Sequence, residues 1–156
     1  MSLSIGDIAP PFRASTHTGE ELALSDLRGR RVALYFYPMD DTPGCTAQAC
    51  SLRDGGAALR EAGVTVLGVS GQDADSHRRF ADKYALDFPL LMDTDHSIAA
   101  AYGALGCAPF NWLRRRLGFY RRITFLIDEH GRIADIIERP DTRHHAEEVL
   151  RRAQRR

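Results

Sequence analysis

The 156-residue sequence predicts an α/β fold in which helices flank a central mixed β-sheet. Three observations carry this expectation. Val32-Ala33-Leu34-Tyr35-Phe36-Tyr37 is apolar at successive positions, as a strand buried on both faces requires. A helix-like segment follows and leads to a second strand, Val64–Ser70, giving a β-α-β unit whose crossover should be right-handed. The chain then closes with strands at Ile123–Ile127 and 132–138 about the turn Asp128-Glu129-His130-Gly131, and an amphipathic helix over 143–156.

Residues 1–30 carry turn chemistry at Pro10-Pro11, Thr18-Gly19 and Arg28-Gly29. Phe12 and Leu22-Ala23-Leu24 read as short strands, and Ser25-Asp26-Leu27-Arg28 as a helical turn closed by Gly29. Pro38 ends the first core strand. Thr42-Pro43 reads as N-cap and first helical residue, because proline there loses no useful N–H and already has a helical φ. That helix should run through Cys45, Ala49 and Leu52 towards Leu59, with Gly63 as its stop. Gly55-Gly56 costs roughly 1 kcal/mol per glycine relative to alanine inside a helix, so a bend or a weak middle is expected. Beyond Val64–Ser70, residues 73–84 read as a helix with Phe80 and Tyr84 on one face. Pro89-Leu90-Leu91-Met92 reads as a short strand, 98–102 as a short helix and 103–120 as irregular.

The length suggests one domain, 1–156, large enough to bury a core without disulfide staples. Hydrophobic content of 44% and charged content of 27% are ordinary for a globular chain. No apolar run reaches the roughly 18–20 residues of a membrane span, so no membrane partner is expected. The N-terminus lacks a basic stretch followed by an apolar one, and the expected setting is the cytoplasm. Arg114-Arg115-Arg116 and the arginines of the tail read as solvated surface and not as a nucleic-acid site, since the net charge is zero. His130, His144, His145 and the cysteines lack tight ligand spacing, and no metal is expected.

Two of the three cysteines, Cys45 and Cys50, lie five residues apart at the start of the first long helix. With Thr42 as N-cap, Cys45 is in the first turn, where unpaired N–H groups and the helix dipole favour negative charge. A free thiol titrates near 8.5 and its thiolate is the nucleophile, so this place suits a reactive cysteine. A buried structural cysteine is the bland reading, but Thr-Pro-Gly before a helix is unusual for core packing. In an ideal helix five residues put the α-carbons roughly 8–9 Å apart, whereas a disulfide needs about 4.4–6.8 Å. Either the two sulfurs never pair, or the first turns unwind when they do. Taken alone, Cys50 reads as readily as a small residue packed beside Ala49 and Leu52.

Pro38-x-x-x-Thr42-x-x-Cys45 resembles the peroxiredoxin active-site motif. Phe36-Tyr37-Pro38, Thr42-Pro43-Gly44-Cys45-Thr46 and Ala49-Cys50 resemble the bacterioferritin comigratory protein, or peroxiredoxin Q, subfamily in its form with both cysteines in one helix. The similarity spans nearly the whole chain, including Gly6-Asp7-Ile8-Ala9-Pro10, Val66-Leu67-Gly68-Val69-Ser70, Pro89-Leu90-Leu91 and Arg122-Ile123-Thr124-Phe125-Leu126-Ile127-Asp128. The resemblance implies a thioredoxin-like fold and a thiol peroxidase without metal, haem or other cofactor. It implies Cys45 as peroxidatic and Cys50 as resolving cysteine, with thioredoxin or glutaredoxin as electron donor and a monomeric state. It further implies Thr42 as a hydrogen-bonding group at the thiolate, Pro38 as a wall that excludes water, and Arg122 as the cation facing thiolate and peroxide. As structural residues alone, these three would be a helix cap, a strand terminator and a strand-edge charge beside Arg121. Gln48 stands where many relatives carry Glu, and an amide brings no charge there.

Cys107 reads as a bystander thiol, with an alternative resolving thiol or an intermolecular link as weaker readings, and Phe110-Asn111-Trp112-Leu113 as an apolar patch folded on the core, with self-association or a path for bulky hydroperoxides as weaker readings. A redox sensor or binding module switched by Cys45 oxidation is the alternative function. A disulfide oxidoreductase is disfavoured because the sequence has no Cys-x-x-Cys.

Overall fold

β3 (Arg31–Phe36) is the middle strand of the sheet, where the apolar run places it. In the computed structural model, which describes residues 3–105 and 120–154, β3 pairs in parallel with β4 (Val64–Ser70) and antiparallel with β6 (Ile123–Ile127). β5 (Leu90–Met92) extends the sheet in parallel beyond β4, and β7 (Ile133–Ile137) antiparallel beyond β6. The order β5-β4-β3-β6-β7 is the expected mixed sheet. β1 (Arg13–Ser15) and β2 (Glu21–Ala23) form a separate hairpin that leads into a 3-10 turn at Leu24–Leu27.

Side chains of β3 alternate between two cores. Val32, Leu34 and Phe36 join Leu67, Val69, Ile123 and Phe125 on one face, covered by α4 (Ser97–Tyr102) through Ile98, Ala99 and Tyr102. Ala33, Tyr35 and Tyr37 face the other way. There they meet Cys45, Ala49 and Leu52 of α1 (Pro43–Asp54), Leu59 of α2 (Gly56–Glu61) and Phe80 of α3 (Ala74–Lys83). Ala146 and Val149 of α5 (His145–Gln154) complete that layer. A strand with helices on both faces has no solvated side, which is why β3 carries no polar alternation.

The long helix expected from Thr42 to Leu59 is two helices, divided at Gly55. Gly55 keeps a negative φ, so its reason is space: a Cβ there would overlap the Ala146 methyl. Ser51 Oγ accepts from Ala146 N–H at 3.2 Å and ties α1 to α5 beside that contact. Tyr84, expected in the helix over 73–84, is the cap of α3, and its ring packs edge-on against Phe80. Asp73 caps the other end by accepting from Ser76 N–H. The readings of Cys107 and of residues 110–113 lie outside the described residues. Among the described residues no helix is long and apolar enough to cross a membrane.

His145, at the start of α5, is fully buried between Thr124 Oγ1 at 2.9 Å and Glu148 Oε1 at 2.8 Å. The carboxylate accepts from Nδ1–H and the threonine hydroxyl donates to Nε2, so the neutral tautomer satisfies both sides. Burial pushes the His145 pKa down, against the opposing pull of Glu148.

Gly55→Ala should destabilise the protein by about 1–3 kcal/mol by wedging α1 away from α5. Denaturant titration should show a lower midpoint with unchanged slope; an unchanged midpoint would mean the two helices separate freely. His145 takes up its proton at about pH 6.5 in the unfolded chain and at a lower pH in the folded one. Its contribution to stability is therefore complete above about pH 6.5 and erodes as pH falls through that value. Melting temperature should drop between neutral pH and mild acid, and His145→Gln should flatten that drop; an equally steep drop in the variant would exclude His145 as a source.

Candidate active site

The carboxyl end of β3 delivers the chain into the 38–42 loop and then into α1. Thr42 has extended backbone at the N-cap position, and its carbonyl accepts the first helical bond, from Thr46 N–H at 2.8 Å. Its side chain does not cap the helix. Thr42 Oγ1 donates to Met39 O at 3.0 Å instead. The hydroxyl thus stays tied to the loop, and the N–H groups of Gly44 and Cys45 are not taken up by it. Pro38 sits half-buried at the mouth of the same loop, its carbonyl accepting from Ser70 Oγ at 3.4 Å.

Cys45 is a free thiol, buried, in the first turn of α1. Arg122, just before β6, reaches it: Nη2 donates to Cys45 Sγ at 3.4 Å while Nη1 donates to Gln48 Oε1 at 2.8 Å. Gly44 makes room for this approach, since a Cβ there would lie 3.0 Å from Nη2. Arg121 turns away, donating to Gly103 O at 3.1 Å, so Arg122 is the arginine of the site. Gln48, one turn beyond Cys45, is fully buried. No ion pair of Arg122 occurs among the described residues. The amide orients the guanidinium without neutralising it, leaving its charge to the sulfur.

Cys50 is also free, half-exposed, and in the same helix. α1 is continuous from Cys45 to Cys50, so the two stand at the helical separation that forbids a bond. The structure thus brings Arg122 against Cys45, places Pro38 and Thr42 in the loop that leads into α1, and leaves Cys50 more than a turn away along the helix.

Several groups around the site escaped the sequence reading. Tyr35, on the helix-covered face of β3, has a buried hydroxyl without a hydrogen-bond partner among the described residues, as has Gln48 Nε2. Burial first, then the charge that Cys45 can carry, pushes the Tyr35 phenol well up, so it stays protonated. Asp40 and Asp41 in the loop are both gripped by α3 or its cap. Tyr37 Oη, Ser76 Oγ and His77 Nδ1 converge on the Asp40 carboxylate, and Lys83 and Tyr84 Oη on that of Asp41. Lys83 first, then Tyr84, holds the Asp41 carboxyl below the usual carboxylate range. One signal was present: His77 shares a helical face with Phe80, Ala81 and Tyr84, an odd position for an imidazole with no buried partner.

Fold and site together define a thioredoxin-fold thiol protein whose cysteine lies at a helix start under an arginine. The chain belongs to the AhpC/TSA family, whose profile matches residues 5–136. It is 43% identical over 152 residues to a putative peroxiredoxin bcp of Coxiella burnetii, covering 97% of this chain and 99% of the relative. The crystal structure of peroxidoxin BcpB from Mycobacterium tuberculosis is similar with a TM-score of 0.86 at 30% identity, covering 98% of this chain and 97% of that one. A structure of the Xanthomonas campestris bacterioferritin comigratory protein is similar with a TM-score of 0.83 at 26% identity, covering 92% and 90%.

Gln48→Glu keeps the shape and the hydrogen bond to Arg122 but neutralises the guanidinium and sets a negative charge beside the sulfur. Iodoacetamide alkylation of Cys45 should slow by about tenfold, because the added charge opposes a negative sulfur. Alkylation at the wild-type rate would show that the uncompensated charge of Arg122 does not hold the thiolate.

Proposed function

We propose that this chain is a thiol-dependent peroxidase that reduces hydrogen peroxide and organic hydroperoxides through Cys45 and Cys50. The observation that carries the reading is the Arg122 guanidinium, 3.4 Å from the Cys45 sulfur at a helix N-terminus, in a member of this family. The relatives support the chemistry: they are named peroxiredoxins, and alkyl peroxide reduction is the activity addressed with the Xanthomonas protein.

The Cys45 thiolate attacks the terminal oxygen of the peroxide. The O–O bond breaks, its electron pair leaves with the distal oxygen, and that oxygen takes a proton to become water or an alcohol. Cys45 is left as a sulfenic acid. Arg122 stabilises the negative charge as it passes from sulfur to the leaving oxygen. Thr42 donates its hydroxyl proton to Met39 O, so its oxygen is left to accept from the peroxide O–H, and Pro38 shields the sulfur from water. Cys50 then attacks the sulfenic sulfur, expelling water and forming the Cys45–Cys50 disulfide.

That step requires α1 to open between the two cysteines, because roughly 8–9 Å between α-carbons must shrink to a bonding separation. A thioredoxin- or glutaredoxin-type dithiol returns both thiols by exchange. The reading takes the chain as one domain, 1–156, acting as a monomer in a reducing cytoplasm.

Reduced protein mixed with hydrogen peroxide, thioredoxin, its reductase and NADPH should show catalytic NADPH oxidation; one-time oxidation with no turnover under any donor would leave a sensor instead of an enzyme. Cys45→Ser should abolish peroxide consumption. Cys50→Ser should permit one oxidation and block thioredoxin-linked recycling, and full turnover by that variant would remove Cys50 as the resolving thiol.

A further inference from the structure

Asp40 lies in the turn between Pro38 and Thr42, yet its carboxylate is buried. Tyr37 Oη donates to Oδ1 at 2.7 Å, and Ser76 Oγ donates to Oδ2 at 2.8 Å. His77 Nδ1 stands 2.6 Å from Oδ2. The imidazole of His77 is itself fully buried, and its other nitrogen, Nε2, stands 3.0 Å from Leu91 O. A backbone carbonyl can accept but cannot donate. Nε2 therefore carries a proton, and the two hydroxyls that donate to the carboxylate, from Tyr37 and Ser76, match an anion, so the proton of the 2.6 Å contact belongs to Nδ1. This is the reverse of His145, whose threonine partner can donate and whose neutral form is satisfied.

We propose that Asp40 and His77 are positioning residues of the peroxide site: a buried imidazolium–carboxylate pair that fastens the 38–42 loop to α3 and so sets Pro38 and Thr42 against Cys45. The loop is fastened from β4 as well. Gln72 Oε1 accepts from Asp40 N–H at 3.1 Å and from Ser70 Oγ at 2.7 Å, and that hydroxyl also faces Pro38 O. Thr42 Oγ1 takes its direction from Met39 O, the residue next to Asp40. Asp41 repeats the device at the surface, where Lys83 and Tyr84 hold it in the left-handed region at φ 59°. None of these bonds involves Arg122 or a residue of α1. The pair thus fixes the wall that receives the peroxide, while the sulfur is held separately by α1 and Arg122.

That separation gives the test, which rests on Cys45 being the peroxide-reactive thiol. Asp40→Asn should slow peroxide consumption by about tenfold or more, as loss of geometry at a reacting centre does. Iodoacetamide alkylation of Cys45, which needs the thiolate but not the wall, should keep its wild-type rate. Equal slowing of both reactions would mean general loosening and overturn the proposal, as would an unchanged peroxide rate. In wild-type protein labelled with 15N-histidine, NMR at neutral pH should show protons on both ring nitrogens of His77. A single ring N–H there would overturn the ion pair even if Asp40→Asn fails to fold. Wild-type protein that shows the doubly protonated ring but never turns over peroxide would refute the peroxidase reading and not the pair.

Discussion

Cys45 and Cys50 cannot be joined while α1 is a helix, and the rest of the molecule is arranged around that constraint. A helix start suits a thiolate, because its N–H groups and dipole point at the sulfur. The same helix keeps the second thiol out of reach. In the proposed cycle one segment must therefore be ordered for the first chemical step and open for the second. Such a segment has to be bounded, or opening would spread into the core. On one side stands the loop, tied to α3 through Asp40 and Asp41. On the other stand Leu52, fully buried, and Ser51, hydrogen-bonded to α5. Gly55 ends α1 just beyond, so α2 need not follow when the first turns unwind.

Buried polar groups sort by the same logic. Asp40, His77, Asp93, Thr124 and His145 are all buried and all partnered, and each ties elements that stay together. Asp93, for example, caps α4 through Ile98 and Ala99 N–H and accepts from Tyr120 Oη, which fixes the chain two residues before Arg122. The exceptions among the described residues, Tyr35 Oη and Gln48 Nε2, belong to the face of the sheet that α1 covers.

Much of this was legible in the sequence, for physical reasons that differ by feature. The unbroken apolar run at 32–37 announces a strand covered on both faces, and the chain has no other way to bury both. Cys45, Thr42 and Pro38 are close in sequence, so local helix-start chemistry reveals them. Arg122 was legible through its register with the strand that follows. The helix break at Gly55 was half legible: two glycines marked a weak point, but the methyl of Ala146 that demands one of them lies far along the chain. The Asp40–His77 pair was not legible, because the partners lie 37 positions apart and are brought together by the β-α-β crossover. Thr42 was half legible: it is the N-cap residue, as expected, but its hydroxyl does not cap the helix. Its preference for capping is real, but a loop pinned by α3 presents Met39 O to the hydroxyl first.

The proposed oxidation also supplies a reason for the helix to open when it does. A thiolate at Cys45 is attracted to Arg122 and to the helix start, and this attraction helps hold the first turn closed. A sulfenic acid is neutral at the sulfur, so the attraction falls away once the peroxide has reacted. Arg122 then keeps its bond to Gln48, itself part of the segment that must move. Because Gln48 is an amide, that remaining bond lacks the ion-pair strength a carboxylate would give it. The neutral residue thus serves both halves of the cycle: it leaves the full charge of Arg122 to the thiolate beforehand, and it releases Arg122 more readily afterwards. The loop holding Pro38 and Thr42 is tied to α3 and β4 by bonds that include neither Arg122 nor Gln48, so in the proposed cycle those ties remain while the first turns open.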